Sequence, residues 1–325
     1  MRSVFYPIFG ERVWGWPGHI IDILAIFATL FGLATSLGLG AEQVNAGLNF
    51  LFGIPVSDTS KVLIIIGITA LALVSVVAGM DAGVKRLSEI NMILAFVLLL
   101  FVVVVGQTIA IVTGFFFDLG NYLQYLPAFS NPFGRTDANF SEDWSSFYWA
   151  WWISWSPFVG MFIARVSRGR TVREFIICTL LIPSLICVLW ITVFGGTAIS
   201  QLVSDGYTAA SEAALELKFF LVLSQLPFAQ ISSFIAIVLV VVFFTTSSDS
   251  GSLVIDSIAA GGKIDAPLPQ RVFWCIFEGL VAMALLLAGG LGALQAMSLS
   301  TALPFSIVLL MACYAIVKGL ASEPR

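Results

Sequence analysis

Charge is scarce in this chain. Lys, Arg, Asp and Glu together make up 10% of its 325 residues, and histidine occurs once, as His19. A soluble domain of this size carries roughly 25% charged residues. With 59% hydrophobic residues and a mean hydropathy of +1.01, the composition is that of an integral membrane protein. One histidine excludes a histidine-built metal or catalytic centre. No nucleophile–base pair, phosphate-binding loop or metal-ligating cluster stands in the sequence, so neither an enzyme nor a cofactor-dependent protein is expected, and nothing supports nucleic-acid binding. The four cysteines, Cys178, Cys187, Cys275 and Cys313, lie in apolar runs without a Cys-x-x-Cys spacing. They read as small buried hydrophobes. The first 18 residues lack the continuous apolar core of a signal peptide.

What is abundant is long apolar stretches. A helix crossing the hydrocarbon needs about 20 mostly apolar residues. Eight stretches qualify: 20–40, 61–80, 91–114, 146–166, 175–197, 230–248, 271–290 and 298–318. The expected fold is therefore an all-α membrane domain with eight transmembrane helices. Twelve basic residues fall at the N-terminus and in alternate loops: Arg2, Arg12, Lys85, Arg86, Arg165, Arg168, Arg170, Arg173, Lys263, Arg271, Lys318 and Arg325. Three fall on the other side: Lys61, Arg135 and Lys218. Positive charge marks the cytoplasm, so both termini are expected inside. Residues 115–145 are expected to form an acidic, turn-rich outer loop. In 198–229, Leu215, Phe219 and Val222 recur at helical spacing and predict a short surface helix.

The stretch 149–158, WAWWISWSPF, holds four tryptophans. On a helix, Trp152, Trp155 and Phe158 or Val159 share one face, and Trp151 lies one turn from Trp155. An interfacial aromatic belt fits Trp144 and Trp149 but fits Trp152 and Trp155 poorly, because they sit nearer mid-span. Core packing is the other bland account. Pro157 removes a hydrogen bond to the carbonyl of Ile153 and predicts a broken helix there. A freed carbonyl at membrane depth needs protein, water or an ion as partner. Broken midplane helices are a common way for transporters to build sites. Aromatic faces without a carboxylate suit a cation that donates no hydrogen bonds, such as a quaternary ammonium. The cluster Arg165, Arg168, Arg170 and Arg173 closes the span as a cytoplasmic anchor, a partner for acidic lipid headgroups, or an inner gate.

FYWAWWISWSPFVGMFIARVSRGRTVREF (147–175), TLFGLATSLGLGAEQV (29–44), FGGTAI (194–199) and FFTTSSDSGS (243–252) together resemble segments of the betaine–choline–carnitine transporter family. The resemblance covers essentially the whole chain. It implies a twelve-helix fold with a leucine-transporter-like core of two inverted five-helix repeats, of which this chain matches the last eight helices. Residues 1–114 would end the first repeat, 115–145 would be the outer loop, and 146–325 would be the second repeat. The chain would then be a truncated form that carries about half of a substrate box and does not transport alone. It would sit as a multi-pass protein in the cell inner membrane. The implied activity is sodium-coupled import of a quaternary ammonium osmolyte of the glycine betaine, choline or carnitine class. Sodium would be the coupling ion, and a homotrimer is implied. The competing accounts are a membrane sensor or channel on the same helices, or an inactive fragment.

Residue by residue, Trp152 matches the family's main substrate tryptophan of this span, Trp151 its neighbour, and Trp155 a residue of the inner substrate path. Phe158 and Thr29 match one sodium site. Phe243, through its carbonyl, and the hydroxyls of Thr246 and Ser247 match the other. Those three positions share a helix face, and hard oxygen ligands suit a small alkali cation. The bland account is that both hydroxyls bond back to the carbonyls of Val242 and Phe243. Leu33 stands where well-studied relatives resemble a second threonine, which leaves the sodium stoichiometry open. Two further acids lie within spans. Asp249 is expected to cap a helix break or line the inner path. Glu278 lies about two turns from Arg271, and solvated or paired roles are expected for both.

Overall fold

The computed structural model describes residues 1–79, 83–131, 133–134, 136–137, 140–263 and 266–322. Arg135 and Arg325, which entered the charge tally, lie outside the described residues. All regular structure among the described residues is helical. After short turns over residues 2–14, the long helices are α1 (Trp16–Phe52), α2 (Asp58–Ala78), α3 (Lys85–Val105), α4 (Thr108–Ser130), α5 (Phe147–Val166), α6 (Val172–Val203), α7 (Leu215–Ser224), α8 (Ala229–Ala259) and α9 (Leu268–Ser322).

Local signals set these boundaries. Pro17 opens α1, where its missing N–H is harmless. Gly53, at φ 69°, closes it in the left-handed conformation that glycine adopts without strain. Ser57 caps α2 by accepting from the Ser60 amide at 3.2 Å. Thr171 and Glu174 cap the start of α6 reciprocally.

The most buried helix is α1: 67% of its most apolar window lies inside the molecule, against 11–33% for the other long apolar helices. Small residues make this possible. At Gly40 a Cβ would sit 2.2 Å from the Phe244 ring, and at Gly47 it would sit 2.4 Å from Phe220 and 2.7 Å from Ile237. In lipid, where apolar surface gives helices little reason to associate, such small residues let backbones approach and gain contact. Around α1, Ala34, Leu37 and Ala41 pack with Ile65 and Ile68 of α2 and with Ala282, Leu286 and Leu294 of α9. Lower on α1, Ala25, Ala28 and Leu33 pack with Phe158 of α5, Val254 and Ile258 of α8 and Phe305 of α9.

The structure departs from the sequence expectation in three places. Among the described residues six helices, α1, α2, α3, α6, α8 and α9, are long and apolar enough to cross a membrane. The tryptophan-rich α5 is not among them, because tryptophan, tyrosine and serine depress its hydropathy despite its 20 residues. The last two expected spans, 271–290 and 298–318, are two helical halves of α9 joined at Gly289 and Gly290, where the backbone leaves the helix and φ 60° at Gly290 needs a glycine. Residues on both sides of that turn, Trp274 and Val281 before it and Phe305 and Val308 after it, join the same core cluster. The expected span 91–114 is split. Gly106 adopts an extended backbone after α3, and the Thr108 hydroxyl takes the Val103 carbonyl at 2.7 Å, which closes one helix and opens α4. The expected outer loop is consequently helical as far as Ser130. Finally, the short helix α7 exists, but its inward face is Phe220, Val222 and Leu223, while Leu215 is exposed.

Gly47→Val would drive a branched side chain into Phe220 and Ile237. Overpacking of this kind typically costs ~1–3 kcal/mol. The purified variant in detergent should melt at a lower temperature than the parent, whereas Gly67→Val, at a position with open space beside it, should not.

Candidate functional site

Pro157 does not break α5. The helix runs uninterrupted from Phe147 to Val166, contrary to the expected break. The reason lies one residue earlier. Ser156 donates its hydroxyl to the carbonyl of Ile153 at 2.7 Å, the group that proline leaves without an amide partner. The carbonyl expected to serve an ion or substrate is therefore already occupied. Ser154, fully buried, ties α5 to α9 by donating to the Ser298 carbonyl at 3.1 Å.

The aromatic face also differs from the one expected. Ring contacts form a ladder along α5: Phe147 stacks on Trp151 at 5.5 Å, Trp151 meets Trp155 edge-on at 6.4 Å, Trp155 meets Phe158 at 5.5 Å, and Phe158 meets Phe162 at 6.3 Å. Trp152 is not part of this ladder and is 64% exposed. The face is set by residues 147, 151, 155, 158 and 162 at three- and four-residue steps.

Two rungs of the ladder are fixed to α1. The indole N–H groups of Trp151 and Trp155 both donate to the carbonyl of Gly32, at 3.2 Å and 3.1 Å, and the Ser36 hydroxyl donates to the same oxygen at 3.0 Å. Gly32 permits the approach, since a Cβ there would lie 2.9 Å from Trp155 Cδ1 and 3.1 Å from Ser154 Cβ. The consequence is chemical as well as structural. With their N–H groups spent on Gly32, the indoles have only ring surface left to offer.

That surface lines a cavity of about 190 Å³ between α1, α5 and α8, formed by Ser36, Tyr148, Trp151, Trp152, Trp155, Phe243 and Phe244. The structure thus brings Trp151, Trp152, Trp155 and Phe243 together, although Trp152 and Phe243 are also largely exposed on its open side. Sequence reasoning missed Tyr148, Ser36, Phe244 and Gly32. Tyr148 was within reach of helical spacing from Trp152, whereas the other three needed the packing of α1 and α8. A larger hollow of about 740 Å³ lies elsewhere, against α3, α4, α6 and α7, and is lined by Gln107, Asp118, Thr192, Gln201 and Asp205 without an aromatic side chain. The chemistry of the tryptophan cavity is the more distinctive.

On α8, one turn below the cavity, the Phe243 carbonyl accepts from Thr246 Oγ1 at 2.8 Å and from Ser247 Oγ at 3.0 Å. Three oxygens are gathered at one place, and the two hydroxyls occupy each other's shared acceptor in the bland manner, on Phe243 alone and not on Val242. Thr29 is completely buried on α1, and its hydroxyl has no hydrogen-bond partner among the described residues. An orphaned hydroxyl in the core costs ~1–3 kcal/mol unless something binds it. It lies among the α1 residues that pack with Phe158. Leu33, one turn on, is 1% exposed and packs its methyls on Gly251 of α8, where a Cβ would lie 2.1 Å away. Leu33 therefore serves the α1–α8 contact and brings no oxygen.

Arg168, Arg170 and Arg173 are exposed around the Gly169 turn, and Arg165 is half-buried. None of the four is in an ion pair among the described residues. The two intramembrane acids depart from expectation. α8 is continuous through Asp249, so there is no break to cap. Asp249 and Glu278 are 0% and 1% exposed, and Arg271 pairs with Asp256 at 3.2 Å. Of the cysteines, only Cys275 is buried; Cys178, Cys187 and Cys313 are exposed, since hydrophobic surface in a lipid-facing helix has no need to turn inward.

Ser156→Ala would leave the Ile153 carbonyl unpartnered, at ~1–3 kcal/mol for an unsatisfied buried group. The melting temperature in detergent should fall, and Ser156→Thr, which keeps the hydroxyl, should restore most of it.

The family model for betaine/carnitine/choline transporters matches residues 1–325. A glycine betaine/proline/choline transporter of Vibrio parahaemolyticus is 69% identical over the whole of this chain and 59% of its own length. A second transporter of that organism, named for glycine betaine, is 54% identical over 99% of the chain and 62% of its own length. A glycine betaine transporter of Bacillus subtilis is 42% identical over 100% of the chain and 64% of its own length. The chain thus spans about three fifths of the length of these relatives. The apolar helices make it a multi-pass membrane protein, and no enzymatic role attaches to it: the chain belongs to the betaine/carnitine/choline transporter family.

Proposed function

We propose that this chain forms the part of a secondary transporter that holds the trimethylammonium group of a small osmolyte, with glycine betaine or choline as the leading substrates and carnitine in the same class. The observation that carries the reading is the double donation of Trp151 and Trp155 to Gly32. Methyl groups on a quaternary nitrogen donate no conventional hydrogen bonds and carry diffuse positive charge. Ring faces attract such a charge by ~2 kcal/mol or more when desolvated. A primary amine would ask for a carboxylate, and none lines this cavity. The names of the Vibrio and Bacillus relatives agree with this class.

Sodium is the proposed coupling ion. Phe243, Thr246 and Ser247 would hold one ion, the hydroxyls turning their lone pairs inward as it enters. Thr29, beside Phe158, would serve a second place that Leu33 leaves with one hydroxyl fewer. Binding of ion and substrate would shift the helices between outward- and inward-facing states through their different affinities for the two. Eight crossings follow if α5 spans and α9 crosses twice about Gly289–Gly290. At a rise of about 1.5 Å per residue, the helical halves of α9 before and after Gly289–Gly290 are each long enough for one ~30 Å hydrocarbon core. In this reading both termini face the cytoplasm across the inner membrane, residues 1–114 complete one repeat, and residues 146–325 form the next. Arg165, Arg168, Arg170 and Arg173 meet acidic headgroups or an inner gate. A homotrimer is the proposed assembly.

The test places this chain in the matching part of the 69%-identical Vibrio parahaemolyticus transporter and measures radiolabelled glycine betaine uptake in cells without other betaine carriers. The hybrid should accumulate substrate in sodium buffer and lose most uptake in potassium buffer. Trp155→Ala should lower apparent affinity about 30-fold, the equivalent of ~2 kcal/mol. Uptake that ignores both the sodium replacement and the tryptophan removal would refute the reading.

A further inference from the structure

The hollow of about 740 Å³ against α3, α4, α6 and α7 has no part in the reading above. Pockets that hold small molecules commonly measure about 300–1,000 Å³. Small residues make room for this one. Gly195 and Gly196 of α6 line it, and both belong to FGGTAI, a stretch that the tryptophan site leaves without a role. Nothing lies within 4 Å of the place where a Cβ on Gly196 would sit. The α6 backbone also widens here: the Gly196 amide donates as far back as the Ile191 carbonyl, five residues away. Helical turns of this width are rare, and many of them stand at functional sites.

The wall is acidic and has more hydrogen-bond acceptors to offer than donors. Asp118 of α4 and Asp205, just past the end of α6, both line it, and no Lys, Arg or His does. Neither acid is in an ion pair among the described residues, and Lys218 of α7 gives its ammonium to the Ser211 carbonyl instead. Several donors of the wall are already spent on the protein. Thr192 donates to Asp118 Oδ2 at 2.6 Å, Thr197 to the Val193 carbonyl, and Gln225 to Ser224 Oγ at 3.3 Å. Gln201 adds an independent observation. It lines the hollow, is 6% exposed, and donates through Nε2 to the Val222 carbonyl at 3.1 Å, while its Oε1 has no partner among the described residues. A buried amide oxygen asks for a donor. An unmet acceptor and two carboxylates without counter-charge, around one space, are together answered by a cation that carries N–H groups.

We propose that this hollow is a binding site for a small aliphatic diamine in its protonated form, with Asp118 and Asp205 taking the two ammonium groups and Gln201 Oε1 accepting a further N–H. Val105, Ile111, Ile199 and Leu226 supply apolar wall for the methylene chain between them. A bare metal ion would leave most of the volume empty, and no group of three His, Cys, Asp or Glu is placed to chelate one among the described residues. The chemistry is the opposite of that in the tryptophan cavity. There the N–H groups of the protein are spent and ring surface remains, which suits a nitrogen without hydrogens. Here carboxylates and an amide oxygen remain and no aromatic ring is present, which suits a nitrogen that has them. The site does not depend on what the tryptophan cavity binds.

The test titrates 1,4-diaminobutane into the purified 325-residue chain in detergent near neutral pH and reads the heat of binding. The parent should bind it, and Asp118→Asn and Asp205→Asn should each bind it at least tenfold more weakly. Both aspartates are exposed, so neither change should lower the melting temperature, which is read alongside. Gly196→Leu, which fills the hollow and touches no charge, should abolish binding, whereas Trp155→Ala should bind as the parent does. The diquaternary analogue with six N-methyl groups has the same charges and no N–H, and it should bind at least tenfold more weakly than the diamine. A parent that gives no heat of binding overturns the proposal. So does equal binding of the quaternary analogue, undiminished binding by both asparagine variants, or magnesium ion displacing the diamine more effectively than a second diamine such as 1,5-diaminopentane. Failure of betaine uptake in the hybrid transporter would leave these readings untouched.

Discussion

One carbonyl oxygen, that of Gly32, organises the aromatic site. It receives two indole N–H groups from α5 and a serine hydroxyl from its own helix. In a hydrocarbon surrounding, a free indole N–H would have to find an acceptor, and its choice of acceptor fixes the ring. Both rings are therefore held by the most buried helix of the molecule. Their N–H edges are turned to protein, and both rings line the cavity. The missing side chain of Gly32 is the condition for this, because any Cβ would collide with Trp155. Chemical character and position of the site thus follow from a single close contact between α1 and α5.

The same logic of satisfied backbone explains why α5 stays helical through Pro157. Ser156 supplies a hydrogen bond where the proline withdraws one. An unbroken α5 makes the cavity depend on ring geometry and not on exposed carbonyls. Oxygen chemistry is instead placed on α8, whose hydroxyl-rich stretch presents Thr246 and Ser247 on one side and Ser248, Asp249 and Ser252 on another. A run of hydroxyls in a membrane helix has two uses. It bonds back to the helix when nothing else is present, and in the proposed function it offers lone pairs to the coupling ion.

Much of the fold was legible because hydrophobic length is a direct signal. α2, α5 and α6 begin and end near the apolar stretches that predict them, while α1 and α8 begin near theirs but run on to Phe52 and Ala259. The misses have physical causes. Gly106 and Thr108 close a helix inside an apolar run, a local event that hydropathy does not sense. In the site, tryptophan at helical spacing announced an aromatic face, but the choice between Trp151 and Trp152 as its core depended on where Gly32 lay across the interface. Asp249 and Glu278 were visible as intramembrane acids. Their complete burial was not, because Arg271 stood close in sequence to Glu278 and its pairing with Asp256 was decided by packing.

The central claim is that ring faces, stripped of hydrogen-bonding capacity, select a fixed positive charge. The most direct measurement is competition against glycine betaine binding or uptake by its carbon isostere, 3,3-dimethylbutanoate, an anion of the same shape and carboxylate with an uncharged carbon in place of the quaternary nitrogen. If the charge on that nitrogen is what the rings attract, the isostere should compete about 30-fold or more weakly, as a desolvated cation–π contact of ~2 kcal/mol requires. Equal competition by the two compounds would show that the cavity reads shape alone and would contradict the account.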